Sequence, residues 1–132
     1  MKTIARNAVS DKIKRFLEDI KKYDPEKVII FGSAATGSAD EYSDIDAVVI
    51  KKTENRFLER LVEAGKFISA VSEPVDIFIY TPEEWERHRQ YNTVFYEQVM
   101  KTGKVTYEKP WEWIGQMAEG VGNRNIIRKS DV

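Results

Sequence analysis

"FGSAATGSADEYSDIDAVVI", residues 31–50, decides the fold. The apolar run Val28 to Phe31 leads into it, is rich in β-branched residues and predicts a buried strand. Gly32 ends that run. Small polar residues follow, with Gly37 as a second breaker, leaving room for one short helical turn. "DIDAVVIK" then predicts a second strand by the same criteria. Side chains at i and i+2 of a strand share a face, so Asp44 and Asp46 point the same way and Ile45 points oppositely.

Upstream, Val9, Ile13, Phe16, Leu17 and Ile20 recur at helical spacing and predict an amphipathic helix ending near Lys22. Downstream, residues 55–71 predict a helix with Phe57, Leu58, Leu61, Val62 and Ile68 on one side. "VDIFIY" after Pro74 predicts a third strand. Thr81, Pro82 and Glu84 form a helix start: a cap, a proline at the first helical position and a capping box. The helical pattern runs on to Gly103, and "KVTYE" predicts a short fourth strand. The order α-β-α-β-α-β-α-β makes this an α/β (α+β) chain with a small mixed sheet flanked by helices. Residues 1–110 are expected to form one domain and 111–132 a C-terminal extension. Trp111 and Trp113 either pack on the sheet or face a partner, and core packing is the expected role.

The pair of aspartates carries chemistry. Adjacent carboxylates repel and are costly to desolvate, and a hard divalent cation such as Mg²⁺ resolves both problems. Asp76 stands near the start of the third strand. If strands two and three are parallel neighbours, it falls beside Asp44 and Asp46, and the intervening helix is long enough for the crossover. Three such carboxylates could hold two metal ions. Ten residues separate Ser33 from Asp44, so antiparallel first and second strands bring the Gly-Ser corner to the same sheet edge. There Gly32 permits close backbone approach, Ser33 offers a hydroxyl, and the amides of the following turn favour an anion. Alone, Gly32-Ser33 fits an ordinary turn, the aspartates fit turn residues, and Asp76 fits a surface position. Their joint placement points to a phosphate cradle beside a carboxylate-metal site. Glu83 and Glu84 belong to the helix start, and His88 reads as an exposed helix residue.

Composition narrows the class. The 132 residues are 42% apolar and 33% charged with a net charge of −1, which gives no global pull toward nucleic acid or anionic membrane. There is no cysteine, so disulfides and thiolate metal sites are excluded. With neither a signal-like segment nor a long apolar run, a cytoplasmic protein without membrane spans is expected. The P-loop pattern fails because Ser38 follows Gly37, and the EF-hand pattern fails at Val49.

"GS", ten residues, then "DID", with "VD" on a later strand, resembles the nucleotidyltransferase superfamily related to DNA polymerase beta. The nearest likeness is to minimal nucleotidyltransferases associated with HEPN-domain proteins, over roughly residues 10 to 108, including "YTPEEWE" and "VMKTGKVTYE". The resemblance implies a nucleotidyltransferase fold and Mg²⁺-dependent transfer of a nucleoside monophosphate from ATP or another triphosphate. A protein side chain, an RNA end or a small molecule would serve as acceptor. It implies Gly32 and Ser33 on the triphosphate, and Asp44, Asp46 and Asp76 as metal-binding catalytic residues. Ser43, a loop serine beside them, fits either an assisting role at the phosphate site or a structural one. Two Mg²⁺ ions and a HEPN-domain partner are implied as well. The alternative it offers is an antitoxin that binds that partner without catalysis, and homo-oligomerisation stays open. The sequence departs from many relatives at Ala34 to Thr36, where they carry an arginine. Lys51 and Lys52 stand at the far end of strand two.

Overall fold

The computed structural model describes residues 2–39, 44–68 and 75–110, with side chains described from residue 11 onward. The extension 111–132, including Trp111 and Trp113, lies outside the described residues. Four strands, β1 (Lys27–Phe31), β2 (Ile45–Ile50), β3 (Val75–Tyr80) and β4 (Lys104–Glu108), form one mixed sheet in the order β3-β2-β1-β4. β2 and β3 run parallel, while β1 is antiparallel to both β2 and β4. The expected mixed sheet is present, with the parallel pair where the crossover predicts it.

The continuous apolar runs of β1 and β2 have a simple cause: both faces of the sheet are covered. On one face Val28, Ile30, Ile45, Ala47 and Val49 pack with Phe16 and Ile20. Those two side chains come from α1 (Lys2–Lys21) and are fully buried, each contributing about 1.5–3 kcal/mol relative to exposure. The helix begins earlier than Val9, where its apolar stripe starts. On the other face Ile29, Val48 and Ile50 pack with Val99, Trp85 and Phe95. By alternation, Asp44, Asp46 and Asp76 belong to this second face.

Three short helices complete the described layers after α1 and the four-residue α2 (Ser33–Thr36). α3 (Phe57–Gly65) is shorter than the expected 55–71 and stops at Gly65, a poor helix former. Its buried face also differs from expectation. Arg60 and Ala64 point inward, while Leu58 and Val62 are 73% and 66% exposed. Arg60 decides the rotation, because its guanidinium is anchored inside. It donates to the Asn55 and Ile79 carbonyls and to both oxygens of Glu84.

α4 (Pro82–Tyr91) begins as the sequence predicts. The Thr81 hydroxyl accepts from the Glu84 amide, and the Glu84 carboxylate accepts from the Thr81 amide. The single helix expected to run on to Gly103 is instead two. Asn92 adopts a left-handed conformation with φ 48°, and Thr93 caps α5 (Val94–Thr102) by accepting from the Tyr96 amide. An asparagine C-cap followed by a threonine N-cap is a stop and restart that outweighs the continuing apolar pattern.

Candidate active site

Register brings the predicted carboxylates together. Asp46 is directly opposite Phe31 on the antiparallel side and Asp76 on the parallel side. The next residue after Phe31 is Gly32, so corner and carboxylates share one edge of the sheet. Gly32 has φ 73° and ψ −152°, a region that is essentially glycine-only. A Cβ there would lie 2.8 Å from Asp46 Oδ2. Glycine is therefore required twice, by its dihedrals and by the carboxylate against it. The Gly32 N–H donates to Thr102 Oγ1 at 2.8 Å, and its carbonyl accepts from the Ala35 and Thr36 amides that open α2. Ser33 is half-buried at the first position of α2.

Burial, foremost, pushes the Asp46 carboxyl above the usual carboxylate range. The charges of Asp76 and Asp44 and a hydrogen bond to Asp76 act in the same direction. A hydrogen bond between two carboxyl groups needs a proton between them, or a cation in its place. Among the described residues no three His, Cys, Asp or Glu side chains are gathered as a complete metal-holding set. Asp46 and Asp76 meet, whereas the Asp44 side chain is exposed, so packing does not fix its rotamer. The donor chemistry (hard, anionic oxygens crowded with no basic partner among the described residues that set the state of Asp46) fits a divalent cation of the Mg²⁺ kind. Ser43 lies outside the described residues.

The lysines at the far end of β2 have other work. Lys51 Nζ donates to the Tyr23 and Asp24 carbonyls at 2.7 Å and 3.2 Å, closing the chain end of α1. It sits at the opposite end of β2 from Asp46. A cavity of about 330 Å³, lined by Phe57, Tyr80, Glu84, Arg87, His88, Tyr91 and Thr93, also lies at that opposite end. Tyr80 is four residues along β3 from Asp76, or about 13 Å. Glu84 is fixed by Arg60 and by the Thr81 cap, and His88 Nδ1 pairs with Thr93 Oγ1 at 2.8 Å. Neither reaches the aspartates; Glu84 belongs to the helix start as expected, whereas His88, expected to be exposed, is half-buried against Tyr80, Trp85 and Phe95. Thr102 is the residue the sequence did not single out. A threonine at a helix end gives no signal of contact with a glycine 70 residues earlier.

This chain is similar to known proteins in sequence or in fold. A Methanocaldococcus jannaschii protein provisionally named a protein adenylyltransferase is 29% identical over 103 residues, covering 72% of this chain and 94% of its own length. A crystal structure from Sulfolobus solfataricus, provisionally described as a nucleotidyltransferase, superposes with a TM-score of 0.52 at 22% identity. It covers 77% of this chain and 87% of that one, and the likeness is one of fold. A crystal structure described as a toxin-antitoxin with AMP-PNP covers 92% of this chain and 95% of its own, at 23% identity and a TM-score of 0.49. The profile of the nucleotidyltransferase domain family matches residues 10–106, the stretch that holds the Gly-Ser corner, the three aspartates, strands β1 to β3 and the start of β4. The chain belongs to the nucleotidyltransferase domain family.

Proposed function

We propose that this nucleotidyltransferase transfers a nucleoside monophosphate, AMP from ATP foremost, to an acceptor hydroxyl. One observation carries the reading: Asp46 and Asp76 are register partners within hydrogen-bonding reach, with Gly32 packed against Asp46. The preference for AMP rests on the name of the Methanocaldococcus jannaschii relative.

Asp44, Asp46 and Asp76 would hold Mg²⁺, two ions in the full arrangement. Bound there, Mg²⁺ supplies charge neutralisation at the transferring phosphoryl group and on the attacking and leaving oxygens. The chain's own residues do the rest. The absence of a side chain at Gly32 lets the Asp46 carboxylate stand directly against the corner backbone, which keeps that carboxylate beside the proposed triphosphate site. The Ser33 hydroxyl donates to a phosphate oxygen, and Ser43 is proposed to assist. Asp76, exposed at the sheet edge, receives or orients the proton of the acceptor hydroxyl. Catalysis of this kind is mostly placement and electrostatics, which a rigid sheet edge provides. The proposed partner, which would supply or shield the acceptor, is a HEPN-domain protein. The support for it is the sequence resemblance.

Calorimetric titration of ATP, with and without Mg²⁺, tests the reading. Binding should require Mg²⁺ and be lost in Asp46→Asn, whose fold stays intact. Equal binding by Asp46→Asn, or binding indifferent to Mg²⁺, would overturn it.

A further inference from the structure

The Gly32 amide is held by a side chain from a distant element. Its N–H donates to Thr102 Oγ1 at 2.8 Å in a partly buried setting. Thr102 is the last residue of α5, and the end of that helix is fixed independently of the corner. Val99 is fully buried against the second face of the sheet. The Gly103 amide donates to the Val99 carbonyl at 2.6 Å. A Cβ on Gly103 would stand 2.5 Å from that carbonyl oxygen and 3.0 Å from Ile29 Cγ2. The chain therefore turns from α5 into β4 in close contact with β1. The Thr102 hydroxyl is thus presented from a rigid base.

Gly32 has more need of such a fixed partner than an ordinary strand-end residue. Its dihedrals lie in a sparsely populated region, which persists only where the surroundings over-determine it. Its Cα faces the Asp46 carboxylate so closely that no Cβ fits. A partly buried amide without an acceptor loses a hydrogen bond and gains freedom to rotate. In this corner, rotation of Gly32 would move the next residue, Ser33, relative to Asp46.

We propose that Thr102 is a positioning residue for nucleotide binding. Its hydroxyl fixes the Gly32 peptide and so sets the placement of the Ser33 hydroxyl relative to the carboxylate pair. The role rests on the reading that this edge binds a nucleoside triphosphate. Thr102 touches neither nucleotide nor metal in this scheme; it acts through Gly32.

The test compares Thr102→Val, which keeps the shape and removes the acceptor, with Thr102→Ser, which restores it. Mg²⁺-ATP affinity is read by calorimetry, and Gly32 amide exchange by NMR without nucleotide. Ile20→Val, in the core on the other face of the sheet, serves as a control that lowers the melting midpoint without touching the corner. Thr102→Val should weaken Mg²⁺-ATP binding about tenfold, the effect of losing one hydrogen bond. It should also speed exchange at Gly32. Thr102→Ser should bind within about twofold of the unchanged protein and keep Gly32 protected. Ile20→Val should bind normally. Normal binding by Thr102→Val, a Thr102→Ser as weak as the valine variant, or an equal loss in Ile20→Val would each overturn the positioning role alone. No ATP binding by the unchanged protein would overturn the nucleotide reading, and the positioning role with it.

Discussion

Strand β3 ends in charge on both sides, and the two ends are built oppositely. At its start, Asp76 stands beside Asp46 with Asp44 nearby, three carboxylates with no basic side chain among the partners that set the state of Asp46. At its finish, the Ile79 carbonyl and the Glu84 carboxylate both accept from Arg60, which also donates to the Asn55 carbonyl. Arg60 is buried, and each of its three guanidinium nitrogens has an acceptor. One cluster is short of positive charge; the other is neutral and complete. A count of acidic residues cannot separate them, since Glu83 and Glu84 form as dense a pair as Asp44 and Asp46. Partners do separate them. Carboxylates that a protein leaves crowded together are available to a cation, whereas carboxylates it has already paired are part of the scaffold.

The largest effect on the scaffold should come from the complete cluster. Arg60→Ala leaves Glu84 partly buried without its partner and strips the Ile79 carbonyl. We expect a loss of about 3 kcal/mol in urea unfolding, with Mg²⁺-ATP affinity of the folded protein unchanged. A normal melting curve for this variant, or a selective loss of affinity, would erase the distinction between the two ends.

Gly32→Ala probes the crowded end from the backbone side. The methyl group would meet Asp46 Oδ2 in a conformation that alanine rarely adopts. A destabilisation of about 1–3 kcal/mol is expected, smaller than the loss at Arg60 but accompanied by lost ATP binding. Intact binding by Gly32→Ala would show that nothing approaches this corner closely.

The smallest effect is the response to acid, and its sign differs between the ends. Asp46 is raised above its ordinary value, by burial first and then by Asp76 and Asp44. Its protonated form therefore stabilises the metal-free fold at low pH, and that contribution disappears as pH rises through the raised value. Glu84 is lowered, by the hydrogen bond from Arg60 first, against an opposing push from burial and with help from Thr81. Its contribution is present above the ordinary carboxylate range and lost as pH falls through the lowered value. Without metal, Asp46→Asn should raise the melting midpoint at neutral pH by a few degrees at most. Glu84→Gln should lower it. Both differences should shrink as the solution is acidified into the carboxylate range. Matching signs at neutral pH would contradict the contrast.

The crowded end was largely legible in the sequence. Strand periodicity put Asp44 and Asp46 on one face, the crossover length implied a parallel β3, and register then set Asp76 opposite Asp46. Thr81, Pro82 and Glu84 announced the start of α4 for an equally local reason. The complete end was less legible. A charged residue within a helix reads as solvent-facing, and the partner that draws Arg60 inward lies 24 residues away. That pairing turned α3 so that Leu58 and Val62, expected inside, face out. The break at Asn92-Thr93 was written in capping residues, but an apolar pattern continuing to Val99 masked it. Thr102 was invisible because its role depends on the turn at Gly103 packing against β1, a contact no local pattern encodes.

The most direct test replaces Mg²⁺ with paramagnetic Mn²⁺ in the presence of ATP and maps amide line broadening across the folded protein. The account predicts that Gly32, Ser33, Asp46 and Asp76 broaden first, while Arg60, Glu84 and the end of β3 at Tyr80 stay sharp. Broadening centred on the Arg60 end, or spread evenly over the surface, would contradict the claim that the crowded carboxylate edge is the nucleotide-metal site.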